Sequence, residues 1–273
     1  MANTKSISFS LTQGFSLIEL IIVIIILGIM GISFAKITSN SVYGYIDAKD
    51  RNQLSQSAQW VNERISREIR EALPQSIRTS SNAGTHCLEF MPINNASSYL
   101  SLPTGNISTI NAVGFNLTTS AANFAAIMPI DPASIYAAPG VLGNVASITT
   151  STTDPNQAVV TLTAPTNFIR RSPQNRFYLL SNPVSFCLND SNGQIMRYAE
   201  YGISAIQQTP PSGGSQIGEN FSSSGIVFNY QPGSLSRSGL LQINLRLQNR
   251  NRAFSGNQES FEIFHEVHVR NVP

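Results

Sequence analysis

Apolar and polar positions follow three different rhythms along this chain. Between Phe15 and Ala35 there is almost no rhythm: Leu20 to Leu27 are all Ile, Val or Leu, and Glu19 is the only ionisable side chain. Ser16, Gly28, Gly31 and Ser33 are the interruptions. At about 1.5 Å per residue this stretch makes a helix of roughly 31 Å, enough to span a hydrocarbon core of about 30 Å. A membrane-spanning helix is therefore predicted over 15–35. No proline occurs from there to Leu73, and Pro74 then ends the run, so the helix is predicted to continue through 36–73. In this continuation Leu54, Ala58, Val61, Ile65, Ile69 and Ala72 recur at spacings of three and four, a stripe that predicts burial against a folded body. Glu63/Arg67, Arg64/Glu68 and Arg67/Glu71 stand at i,i+4 spacing, as expected of a solvated helix face.

After Pro74 the rhythm shortens. Cys87–Met91, Ala158–Leu162, Arg176–Leu180, Val184–Leu188 and Ile195–Tyr198 read as strands, the last two joined through the turn residues Asn189 to Gly193. Gly225–Tyr230, Gly239–Gln248 and Glu259–Val269 read as an antiparallel meander. In its middle strand Leu241, Ile243, Leu245 and Leu247 alternate with Gln242, Asn244 and Arg246, the pattern of a half-buried sheet. From Pro92 to Thr153 the chain is rich in Ser, Thr, Ala and Asn and has no assignable period. The fold class expected is α+β: a long amino-terminal helix whose apolar stripe covers one face of an antiparallel sheet.

A carboxylate inside an apolar helix needs a reason. Near a helix centre in the membrane its charge costs about 2.5–3.5 kcal/mol on insertion scales, less near the interface, and such groups are normally paired or functional. A signal peptide cleaved after the apolar run finds only the loose site Ser33-Phe34-Ala35, whereas Gly14 punctuates the chain before the run. Cleavage there would remove residues 1–14 and create an amine at Phe15, about 6 Å along the axis from Glu19. Gly14-Phe15-Ser16-Leu17-Ile18-Glu19 followed by an apolar stretch resembles the class III signal of type IV prepilins and of type II secretion pseudopilins. The resemblance implies cutting after Gly14 and methylation of Phe15 by a prepilin peptidase, and pairing of Glu19 with the terminal amine of a neighbouring subunit. Many major pilins of this superfamily carry proline at the position occupied here by Lys36. Within the superfamily, the runs Arg67 to Arg78, Cys87 to Pro92 and Phe264 to Pro273 look like the MshO-type minor pilins of mannose-sensitive haemagglutinin (MSHA) pili. PilW-like minor pilins and the J pseudopilin would be relatives.

Composition narrows the function further. The net charge is +2 and only 12% of residues are charged, with no basic face interleaved with aromatics, so nucleic-acid binding has no support. Cys87 and Cys187 are the two cysteines. In an oxidising compartment a bridge between them would close a loop of about 100 residues, worth roughly 4.7 kcal/mol in the chain-entropy model; the alternative is a pair of buried thiols. Lys5 precedes the anchor, whereas Lys36, Lys49 and Arg51 follow it, so basic residues alone oppose a cytoplasmic leader. Orientation with the body outside rests on the resemblance and the cysteines.

Candidate chemistry is sparse. Glu262, His265, Glu266 and His268 crowd together, but His265 and His268 are three apart and would face opposite sides of a strand, leaving an exposed polar edge rather than a metal site. Asp190-Ser191-Asn192-Gly193 opens like a calcium loop and lacks the later glutamate, which makes it a turn. Nucleophile elbows, phosphate loops and Cys-x-x-Cys pairs do not occur. No enzymatic activity, metal or cofactor is expected. The domains expected are a leader at 1–14, an anchor at 15–35, an amphipathic helix at 36–73 and a β-rich periplasmic or extracellular body at 74–273. The partners that the resemblance implies are the prepilin peptidase, other major and minor pilins, the inner-membrane assembly platform and the lipid bilayer. It also implies passage from the bacterial inner membrane to a pilus or the cell surface. Alternatives are a J-type pseudopilin of type II secretion and an adhesin that exposes the 92–153 stretch.

Overall fold

The computed structural model describes residues 14, 16–115, 123–137, 139–234, 237–248 and 260–270. The chain divides into two compact units, Met1–Gln53 and Leu54–Pro273. One helix, α1 (Leu17–Arg70), contributes to both. In the first unit every α1 residue up to Tyr45 is exposed, including the whole Leu20–Leu27 run. Its hydroxyls turn back on the helix: Ser33, Thr38 and Ser41 donate to the carbonyls of Ile29, Phe34 and Ile37 at 3.1, 2.9 and 2.9 Å. These three hydroxyls are thereby satisfied by the helix itself. Lys36 and Gly44 lie inside α1, which shows no break at either.

In the second unit α1 becomes the spine of the body. Leu54, Ala58, Val61, Ile65 and Ile69 are buried, and each large aliphatic side chain so covered contributes about 1.5–3 kcal/mol. Two sheets share that stripe, where a single sheet face was expected. The first sheet has five strands in the order β1 (Arg78–Asn82), β2 (Thr85–Phe90), β9 (Val184–Asn189), β10 (Gln194–Tyr198) and β11 (Ser215–Gly218). The second is built on β14 (Gly239–Gln248), which pairs with β15 (Ser260–Val269) along one edge and with β12 (Phe221–Ser222) and β13 (Phe228–Gln231) along the other. Leu88, Phe90, Phe186 and Leu188 from one sheet and Leu241, Ile243, Leu245 and Leu247 from the other join the helix stripe in one core. Hairpin β1–β2 turns through Ala83 and Gly84, both at positive φ (47° and 76°), the geometry that suits the twist of two-residue hairpins.

The segment between β2 and β9 is the main departure from expectation. It forms a closed six-stranded barrel, β3 (Ile93–Ser101), β4 (Asn106–Val113), β5 (Phe124–Ala126), β6 (Leu142–Thr150), β7 (Gln157–Asn167) and β8 (Arg176–Leu180), in the order β3-β4-β7-β6-β5-β8. Four of these strands come from the 92–153 stretch to which no element could be assigned. The barrel has its own core, with Ile110, Ala112, Val160, Phe177 and Leu179 at its centre. A short helix, α2 (Pro132–Tyr136), lies in the β5–β6 connection, capped by the Asp131 carboxylate accepting from Ser134 N–H. Its Ile135 and Tyr136 join Leu73, Met91, Tyr178 and Leu180 in a third cluster that seats the barrel on the chain just past the carboxyl end of α1. Cys87 and Cys187 are directly opposed on β2 and β9 and bonded, with Cα atoms 4.1 Å apart, so the bridge clamps the two strands from which the barrel departs.

Candidate functional site

The anchor segment begins at Gly14, which is exposed, and a side chain added there would meet nothing within 4 Å. Phe15 and residues 1–13 lie outside the described residues. The helix starts at once: the Leu20 N–H donates to Ser16 O at 3.1 Å. Glu19 occupies the first turn, where a carboxylate is favoured by the helix dipole. Its side chain is exposed. The apolar part of α1 is long enough to cross a membrane, and none of that window is buried by the chain itself.

Elsewhere, ionisable groups fasten the body. Arg78 on β1 donates to Glu89 on β2 at 2.7 Å, with the Glu89 side chain almost wholly enclosed. The same guanidinium donates to the carbonyls of Ser204 and Ala205 and lies over the Tyr136 ring at 3.6 Å. Tyr136 donates to Ser76 O at 3.0 Å. Burial, and then the charge of Glu89, push the Tyr136 hydroxyl well above its ordinary range, so it remains a neutral donor. Because Tyr136 belongs to the barrel's helix, this network joins barrel and sheet. Its only advance sign in the sequence was a glutamate inside the apolar run Cys87–Met91.

A second fastening meets at Asp190, which accepts from Ser223 N–H and Ser223 Oγ, both at 2.7 Å, and approaches His86 Nε2 at 3.2 Å. Partial burial pushes this carboxyl up, but the Ser223 and His86 hydrogen bonds outweigh it and hold Asp190 below its ordinary value. Asp190 thus belongs to a turn that ties three segments together. Glu68, expected on a solvated face, accepts from Arg64 at 3.3 Å and also from Arg197 of β10 at 2.9 and 3.0 Å, pinning helix to sheet. His265 and His268 do face opposite sides of β15, but His265 is not part of an exposed edge. It points inward, 2.9 Å from Ser66 Oγ on α1, while Glu266 and His268 face out. The disulfide lies on the sheet face away from the α1 core, buried with Tyr198 and flanked by Met196 and Tyr201.

Residues 10–35 match the prokaryotic N-terminal methylation motif. No curated protein and no solved structure matches the chain. The matched residues contain Gly14, Phe15, Glu19 and the exposed apolar start of α1.

This motif supports a type IV prepilin-like chain. A prepilin-like amino terminus implies processing by a prepilin peptidase and assembly with other pilins. It accounts for the geometry of α1, whose first part is a membrane anchor and whose second part is the spine of an antiparallel β body, as in type IV pilin-like folds. The motif falls on the start of a helix that is exposed on all sides over about eight turns.

Proposed function

We propose that this chain is a minor pilin, a non-enzymatic structural subunit of an MSHA-like type IV pilus. A prepilin peptidase cuts after Gly14, the amine of Phe15 is methylated, and the subunit waits in the inner membrane with its body in the periplasm. It then enters the filament through α1, in contact with the assembly platform and with major and minor pilins. Glu19 pairs with the terminal amine of a neighbour as the helices come together, which removes the cost of leaving a lone carboxylate among apolar side chains. The observation that carries this reading is the methylation motif at 10–35, placed on a helix that leaves its apolar start wholly exposed and then runs directly into the core of the body. The barrel supports a place at the filament tip, because bulk seated past the carboxyl end of α1 obstructs a further subunit there. A J-type pseudopilin of type II secretion shares the anchor chemistry. The barrel, a module with its own core, favours display of a binding surface as a second role.

Mass spectrometry of the chain recovered from sheared pili tests the reading. The expected amino terminus is methylated Phe15. Recovery of an intact Met1 in assembled filaments would sink the processing step, and absence from pili together with presence in a secretion pseudopilus would favour the alternative.

A further inference from the structure

In the closed order of the barrel, β7 and β8 stand across from each other, so the segment 168–175 that joins them crosses one mouth. It is pinned on both sides. Ile169 N–H donates to Gly140 O at 3.0 Å, while Tyr99 gives its N–H to Asn175 O at 2.7 Å and its hydroxyl to Ser172 O at 3.2 Å. Phe168 is buried in the barrel core. Gly140, at φ +83°, allows the close approach, since a Cβ there would lie 2.8 Å from Asn167 O. The crossing segment is therefore a fixed strap rather than a loose loop.

That strap concentrates the charge of the barrel. From Phe90 to Ile169 the only charged residues are Asp131 and Asp154, and then Arg170, Arg171 and Arg176 follow within a few positions. Both carboxylates are engaged. Asp131 caps α2, and Asp154 accepts from Asn156 N–H and Gln157 Nε2 in the turn before β7, at the opposite mouth. Arg171 is exposed. Arg170 is partly buried, with its Nη1 enclosed and without an acceptor among the described residues. Thr104, Asn106, Asn167, Gln174 and Asn175 are exposed around the same mouth and offer hydroxyl and amide partners.

We propose that this mouth of the barrel binds an acidic polysaccharide, its arginines taking carboxylate or sulfate groups and its amides the sugar hydroxyls. Guanidinium forks suit planar and tetrahedral oxyanions. Single-stranded nucleic acid is disfavoured by the chemistry of the site, since none of the described mouth residues is an exposed aromatic on which a base would stack. The proposal rests on the chain being a pilus subunit whose barrel is displayed outside the cell.

The test uses the full chain in detergent micelles, presented with alginate, dextran sulfate, neutral dextran and a single-stranded DNA. Alginate and dextran sulfate separate carboxylate from sulfate as the preferred group. Binding to at least one of them at low salt and none to dextran is expected, with a loss of about tenfold or more in Arg170→Gln/Arg171→Gln. Arg171→Glu, at an exposed position, should give a comparable loss and stands in if the double variant does not fold. Binding of neither acidic polysaccharide, equal binding by the variants, equal binding of dextran, or tighter binding of DNA overturns the proposal. Filament incorporation of the same variants should be normal. Lost polysaccharide binding with normal incorporation leaves the pilin reading standing, whereas a wild-type chain that never enters pili removes that reading instead.

Discussion

The two parts of α1 solve opposite problems with similar residues. Before Gln53 the helix exposes Leu, Ile and Val on every side, Ile25 being 56% exposed. Beyond it, Ile65 is 0% exposed and sits in a core drawn from two sheets. The body completes itself. The anchor is completed only by something else, lipid or another helix, because an exposed apolar surface of that extent in water has no stabilising partner. Stability and function are thus divided along one continuous helix.

The strongest way to break this division is to remove the one charge in the anchor. Glu19→Ala should leave membrane insertion intact or improved and should reduce incorporation into filaments by about tenfold or more, since even ~1.4 kcal/mol of lost pairing is tenfold. Immunoblotting of membrane and sheared-pilus fractions reads both quantities, and normal incorporation would remove the pairing role. A matched pair of substitutions in the same helix sharpens the comparison in energetic terms. Ile65→Ala should destabilise the body by about 2–5 kcal/mol in denaturant unfolding, through lost burial and a residual cavity. Ile25→Ala should leave that unfolding midpoint unchanged. If both variants shift the midpoint alike, the two parts are not energetically separate.

The smallest expected effect lies wholly in the body. Asp190 has a folded value held below 3.8, so its contribution is fully present above that value and is lost as pH falls through the depressed folded value. Acid unfolding of the wild type should therefore show a loss of stability below about pH 4 that is smaller in Asp190→Asn. The same slope in both proteins would mean that the Ser223 and His86 contacts do not stabilise the charged form.

Some elements were plain in the sequence because a single physical demand dominated them. The stripe from Leu54 to Ile69 has to meet a core, and β14 has to place Leu241, Ile243, Leu245 and Leu247 on one side. The Gly14–Glu19 signal was equally plain, being local. The barrel was not, for reasons visible in its strands. Register shifts between Ile93 and Asn95, Tyr99 and Ser101, Ile107 and Thr109, and Val145 and Ser147 interrupt the alternation on which strand recognition depends. Its inward positions include small residues such as Ala112 and Ala125, and its outward ones Ser, Thr and Asn. The Arg78–Glu89–Tyr136 network was hidden for another reason: its members come from β1, β2 and α2, and only closure of the barrel onto the sheet brings them together.

The barrel leaves the sheet after Phe90 and returns at Val184, two residues that are direct partners across β2 and β9. Since departure and return are side by side and the Cys87–Cys187 bond holds them so, the β2–β9 ladder is complete at the point of insertion, while the α2 contacts to Arg78, Ser76, Leu73 and Met91 tie the module to what lies beneath. A module spliced between two paired residues can therefore vary in length and content without changing the register of the two strands that carry it.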